Sequence, residues 1–213
     1  MNKIISCSIL FLFLFNLNLL FGQTYVYDQV PLGFNISGAY AITDESQLLV
    51  FSAGASFWGR LGASVGFGKE YGGINGLSSN IIHYDFNALV LKEHYKDFPF
   101  SLGVGYQAQR NKVKADSNAV FEGIKIKSNS FYLHVVKQLY KSDDFNYFLG
   151  FKKGFGNLIL QDFSSDEKKK LDYVSTSLTI HSKRSFVYLR PTYLWAYDLK
   201  NLSQFTIAFG MIW

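Results

Sequence analysis

The last ten residues, Gln204-Phe205-Thr206-Ile207-Ala208-Phe209-Gly210-Met211-Ile212-Trp213, decide the fold. Successive side chains of an extended chain point to opposite sides. Phe205, Ile207, Phe209, Met211 and Trp213 therefore share one face, while Gln204, Thr206, Ala208 and Gly210 share the other, with Ile212 the exception. One face is greasy and the other small or polar. About ten residues is also the length that a tilted β-strand needs to cross a bilayer.

The same alternation recurs upstream. Leu49, Phe51, Ala53, Ala55 and Phe57 alternate with Leu48, Val50, Ser52, Gly54 and Ser56, and Leu61, Ala63, Val65 and Phe67 with Gly62, Ser64, Gly66 and Gly68. Ile82, Tyr84, Phe86, Ala88 and Val90 oppose His83, Asp85, Asn87 and Leu89. Phe100 to Gln109, Ser130 to Val136, Tyr147 to Phe151, Val174 to Ile180 and Val187 to Trp195 continue the pattern, and a first strand covers about Gly33 to Ile42. The count is about ten strands, between eight and ten, and even numbers suit single-chain bacterial barrels.

A soluble β-sandwich also alternates, so the chemistry of the polar face decides between the two. Water-facing strands favour Lys, Glu and Thr, whereas the inside of a narrow barrel favours Gly, Ser, Asn and Gln. The second is found here. The strand charges Asp85, Lys152 and Arg190 share the non-greasy parity, and a cation on the lipid face at mid-membrane would cost roughly 2 to 4 kcal/mol. Lys137 breaks the rule only at a strand end, where it can snorkel. The expected fold is all-β: a closed antiparallel transmembrane barrel. Pro191 conflicts with it, since proline cannot donate to a ladder, and a bulge or a different strand boundary is expected there.

Composition agrees. Aromatic residues make up 18% of the 213 residues and charged residues only 17%, fewer than the ~25% of soluble domains. Mean hydropathy is only +0.06, so apolar residues are interleaved with polar ones, which excludes a helical membrane protein. The exception is the start. Met1 to Lys3 form a charged n-region and Ile4 to Phe21 an apolar stretch ending at Gly22, the pattern of a cleaved secretory signal peptide over residues 1–22. The barrel domain then covers 23–213. The single cysteine, Cys7, lies in that leader, so no disulfide, zinc–thiolate or thiol chemistry is expected in the processed chain.

The net charge is +5. The cations gather at Lys92 to Lys96, Arg110 to Lys114, Lys125 to Lys127, Lys168 to Lys170 and Lys183 to Arg184, where loops and turns are expected. They do not form the single stripe of a nucleic-acid protein, so no nucleic-acid partner is expected. Turns are expected inside at Trp58 to Arg60, Lys92 to Asp97, Lys141 to Asp144 and Ser182 to Arg184. Longer loops are expected outside at Lys69 to Ser79, Asn111 to Lys125 and Gly156 to Lys170, with a short one near Thr43 to Ser46. Asp166 to Lys170 reads as a solvated loop tip. Trp58, Tyr147, Trp195 and Trp213 read as interfacial belts.

A final strand with Phe205, Ile207, Phe209, Met211 and a terminal Trp213 resembles the assembly signal of bacterial outer-membrane β-barrels, and with the leader the whole chain resembles the small outer-membrane β-barrel superfamily. The resemblance implies the outer membrane of a Gram-negative bacterium. Its implied partners are the lipid bilayer and lipopolysaccharide, with the outer-membrane assembly machinery engaging that last strand. It names no subfamily and no activity.

Candidate chemistry is sparse. His83 and Asp85 share the inner face, and a carboxylate can orient an imidazole base. Their i, i+2 placement near an expected outer rim resembles omptin-type outer-membrane proteases, although the second acidic pair of those enzymes is missing at matching parity. The competing reading is a plug in which His83, Asp85, His134, Lys152 and Arg190 satisfy one another inside the lumen. His181-Ser182 falls at an inner turn, the wrong side for a lipid A deacylase. No metal or cofactor motif appears. The expected function is non-enzymatic, a barrel with a largely filled lumen acting through outer loops or partners. A rim hydrolase at His83 and Asp85 is the alternative, and a narrow channel for small solutes the third reading.

Overall fold

The computed structural model describes residues 32–42, 46–72, 78–93, 98–114, 125–161, 166–197 and 204–212. The expected leader over 1–22, the cleavage point expected after Gly22, and Trp213 lie outside the described residues. Ten strands follow in chain order: β1 Leu32–Ile42, β2 Ser46–Phe57, β3 Leu61–Gly72, β4 Ser78–Leu91, β5 Ser101–Lys114, β6 Lys125–Lys141, β7 Phe145–Gln161, β8 Asp166–Ser182, β9 Val187–Ala196 and β10 Gln204–Ile212. Each pairs antiparallel with its sequence neighbours, and β1 closes the ring against β10 from Asn35↔Ile212 to Ile42↔Phe205. Closure removes every sheet edge. No described helix is long and apolar enough to cross a membrane.

The period-two alternation maps onto inside and outside as expected. In β10, Phe205, Ile207, Phe209 and Met211 face out, while Gln204, Thr206, Ala208, Gly210 and Ile212 are buried within. Ile36, Phe51, Phe67, Phe86, Phe131, Phe151 and Phe209 are all exposed on the outer surface. They belong to a band of rings and aliphatic side chains that runs around the barrel.

Connections lie at two ends. Five, at 43–45, 73–77, 115–124, 162–165 and 197–203, share one end, and 58–60, 92–100, 142–144 and 183–186 share the other, here called the terminal end, with the start of β1 and the end of β10. Of the long loops expected at Lys69 to Ser79, Asn111 to Lys125 and Gly156 to Lys170, the first and third are therefore mostly strand, and the second is strand at Asn111 to Lys114 and Lys125, its remainder lying outside the described residues. β6, β7 and β8 reach 17 residues each, well beyond the 9–11 that span a bilayer. Asp166 to Lys170 is not a loop tip but the start of β8, with Lys169 paired to Glu167 at 3.3 Å and Lys170 to Asp172 at 2.6 Å. At the terminal end, 92–100 is longer than a turn. It receives Lys137, whose ammonium meets Glu93 at 2.6 Å and also reaches the Pro99 carbonyl.

The 58–60 connection is a tight hairpin. Trp58 and Gly59 both adopt positive φ, 54° and 59°, and Arg60 N–H closes on the Phe57 carbonyl at 3.0 Å. Two central residues with positive φ match the right-handed twist of the flanking strands.

Two further expectations need correction. Pro191 lies within a continuous β9 and causes no bulge: β8 and β9 keep one register from Tyr173↔Ala196 to His181↔Tyr188. The rungs Leu178↔Pro191 and Thr179↔Arg190 are simply absent from it. In an antiparallel ladder one N–H at residue 191 would serve both rungs, so the missing donor of proline accounts for the pair. The register shifts instead occur at Leu89/Leu91 and Gln138/Tyr140, near the terminal end. Lys153, which the charge parity left out, faces outward on β7. Its ammonium stacks over Tyr197 at 4.4 Å and Phe155 at 5.1 Å, the posture of a cation snorkelling along the wall.

Candidate functional site

The chemistry-bearing side chains converge inside the barrel, where the inward parity of each strand places them. β4 contributes His83 and Asp85, β5 Gln107, β6 Ser130, Tyr132 and His134, β7 Lys152, β8 Tyr173 and Thr179, and β9 Arg190. They stack across the middle of the lumen.

Glycines on neighbouring strands make room for the rings. Tyr132 is opposite Gly105 and Tyr173 opposite Gly154, and a Cβ built on either glycine would fall inside the facing ring. Only a residue without a side chain lets the phenol lie flat across the next strand and reach the one beyond. His83 over Gly66 and His134 over Gly103 repeat the arrangement.

Lying across β5, the Tyr132 hydroxyl donates to the Asp85 carboxylate on β4, 2.9 and 3.1 Å from its two oxygens. Asn87 Nδ2 donates to the same carboxylate at 3.0 Å. The Lys152 ammonium sits 3.8 Å from the centroid of the Tyr132 ring and donates to Gln107 Oε1 at 2.7 Å. Gln107 Nε2 in turn donates to the Tyr173 hydroxyl at 2.6 Å, which lies 3.3 Å from Ser130 Oγ. On the far wall Arg190 Nε donates to Thr179 Oγ1 at 2.8 Å and its guanidinium lies over Tyr188 at 5.1 Å. Farther round the ring, on β1 and β2, Ser37 and Ser52 share a hydrogen bond of 2.6 Å.

The expected site residues are thus inside, but not as a rim dyad. His83 and Asp85 lie five and seven positions in from the five-connection end of β4, mid-barrel, and both are buried. Asp85 is engaged by Tyr132 and Asn87, while neither imidazole nitrogen of His83 has a hydrogen-bond partner. The contacts of the five charged and imidazole groups run largely through neutral side chains, and the residues that make them, Tyr132, Gln107 and Tyr173, were not among the expected plug. Their inward parity was visible; their cross-barrel partners depend on register.

Toward the five-connection end the lining changes character. Ala41, Leu48, Val50 and Ile81 pack into one buried cluster, and Val113, Ile126, Leu158, Leu160, Leu171 and Leu194 are buried on the same inner parity. Within this apolar layer sits one carboxylate, Glu70, which accepts from Ser79 at 2.7 Å and Ser46 at 3.1 Å. Among the described residues no group of three or more His, Cys, Asp or Glu could hold a metal. His181 and Ser182 close β8 at the terminal end, as the turn assignment required.

No protein-family model matches the chain, and no curated protein matches it. Solved structures share its architecture. The β domain of the Bordetella autotransporter BrkA superposes with a TM-score of 0.51 at 7% identity, over 85% of this chain and 98% of that one. An outer-membrane channel from Pseudomonas putida gives 0.49 at 8% identity, over 92% and 100%. The outer membrane protease OmpT of Escherichia coli gives 0.43 at 14% identity, over 85% and 94%. Identities this low speak for fold alone, and what the chain shares with the BrkA β domain is the barrel architecture.

Proposed function

We propose that the chain spans the outer membrane as a barrel whose lumen is closed by its own side chains, and that it acts through its outward end and its partners, not as a pore or a hydrolase. The membrane reading rests on the exposed apolar band. Water does not favour a continuous belt of exposed rings, whereas a closed barrel satisfies every backbone group without it.

The observation that carries the closed-lumen reading is burial at mid-barrel. Asp85 and Tyr173 are 0% exposed and Lys152 1%, so almost no water-sized space touches them. A conducting pore needs water beside its polar lining, and a hydrolase needs its base within reach of a substrate. Neither condition holds around His83 and Asp85.

Planar-bilayer recording tests this. The refolded barrel should insert, shown by its heat-dependent gel mobility, yet give no regular conductance steps. Uniform steps from the wild-type protein would overturn the closed lumen. Hydrolysis of peptide or lipid A that disappears in His83→Ala would restore the enzyme reading.

A further inference from the structure

β5 and β6 overshoot the apolar band at the five-connection end, and their outward side chains there are cations. In the register Arg110 stands directly opposite Lys127, and Lys112 directly opposite Lys125. All four lie on the outward parity of their strands, with Arg110, Lys112 and Lys125 exposed and Lys127 half-buried. Directly opposed side chains have Cβ atoms about 4.5–5.5 Å apart, and like charges in that position repel. Two consecutive like-charged rungs are an arrangement the sheet alone does not favour. Among the described residues no carboxylate is ion-paired with any of the four, in contrast to Lys169 and Lys170, which pair with Glu167 and Asp172.

The same two strands carry a second feature. Descending the outward face from Arg110/Lys127, the rungs are Ala108/Asn129, Tyr106/Phe131 and Val104/Leu133. Here the wall is concave. An apolar hollow of about 610 Å³ opens on the outer surface, lined by Phe86, Ala88, Val104, Phe131, Leu133 and Phe155. Its small floor residues, Gly105 and Ala88, follow from the interior, where Gly105 is required by the Tyr132 ring. A hollow that size takes several methylenes of an acyl chain. The four cations stand on the same ladder, two and three outward rungs above Tyr106/Phe131.

We infer that this face binds a phosphorylated, multiply acylated lipid of the outer leaflet: phosphate between the Arg110/Lys127 and Lys112/Lys125 rungs, one acyl chain in the hollow below. Anionic phosphate relieves the cross-strand repulsion, and arginine with lysine supplies charge-assisted donors to its oxygens. The chemistry matches lipid A, with phosphates at the headgroup and chains beneath. This rests on the membrane reading above and names the partner of one outer face.

The test uses the full folded barrel in nanodiscs of phosphatidylcholine, with or without diphosphoryl lipid A, and compares wild type with Arg110→Gln/Lys112→Gln/Lys125→Gln/Lys127→Gln. Native mass spectrometry should show wild type retaining diphosphoryl lipid A at least tenfold better than its dephosphorylated form, and the quadruple variant losing that preference. The unfolding midpoint supplies an independent sign. Without lipid A the variant should be the more stable, because the repulsion is gone, and with lipid A the less stable. A control, Lys168→Gln/Lys170→Gln, should retain the lipid.

Equal retention by the quadruple variant, equal loss in the control, or displacement of the lipid by soluble heparin as readily as by lipid A would each overturn the site. A preparation that inserts normally but shows no preference refutes this inference alone. One that does not insert refutes the membrane reading.

Discussion

Tyr132 donates to one carboxylate, lies beneath one ammonium and covers one glycine. Removing its hydroxyl leaves the buried Asp85 carboxylate with Asn87 as its remaining identified donor, and an under-satisfied buried acceptor costs about 1–3 kcal/mol. Tyr132→Phe should therefore lower the urea-unfolding free energy in phosphatidylcholine vesicles by about that amount. In Asp85→Asn/Tyr132→Phe the penalty should shrink, since a neutral amide is cheaper to leave short than a carboxylate. Additivity within about 0.5 kcal/mol would mean that the two side chains do not act as a unit. At this scale the sequence was half legible. That His83, Asp85, Tyr132 and Lys152 point inward follows from alternation alone. That Asp85 answers to Tyr132, 47 residues away, and not to its neighbour His83, depends on Gly105 on the intervening strand β5. Only the register brings those positions together.

Among the elements, β9 carries the clearest cost. Pro191 removes the donor for two rungs against β8 and leaves a carbonyl there without its ladder partner, in a wall where water does not compensate. Pro191→Val should restore the N–H without changing register, because β8 and β9 already share one register on both sides of the gap. A net hydrogen bond contributes about 0.5–1.5 kcal/mol, so the variant should unfold at higher urea, and the new amide of residue 191 should resist hydrogen exchange. A loss of stability, or an amide that exchanges freely, would show that the proline is shaped to a bend the strand needs. Strand existence was legible wherever one face met lipid, because only there do greasy and polar residues alternate. It failed at the overshooting ends of β5 to β8. Lys125, Lys127 and Lys168 face away from the lumen above the apolar band, while Ile126, Leu158 and Leu171 face inward, so the greasy and polar faces exchange sides and the parity that marks a lipid-facing strand inverts. These strands consequently read as loops. Lys153 escaped notice for the opposite reason: it lies within the band but reaches Tyr197 by its length.

For the whole molecule the central claim is a lipid-facing outside and a filled inside separated by one residue step. Single cysteines placed on neighbouring positions of β2 test it most directly, in a chain whose Cys7 is replaced by serine. Ser52 faces the lumen and bonds Ser37, while Ala53 faces outward between Phe51 and Ala55. Both changes are small enough to leave the packing intact. In phosphatidylcholine vesicles, Ala53→Cys should react with a lipid-soluble maleimide and resist a charged, water-soluble thiosulfonate. Ser52→Cys should resist both until the barrel is unfolded in urea, and Lys168→Cys, above the band, should react with the water-soluble reagent. Rapid labelling of Ser52→Cys by the water-soluble reagent in the folded barrel would contradict the account by revealing a water-filled lumen, and rapid labelling of Ala53→Cys by the same reagent would show that the outer face does not lie in lipid.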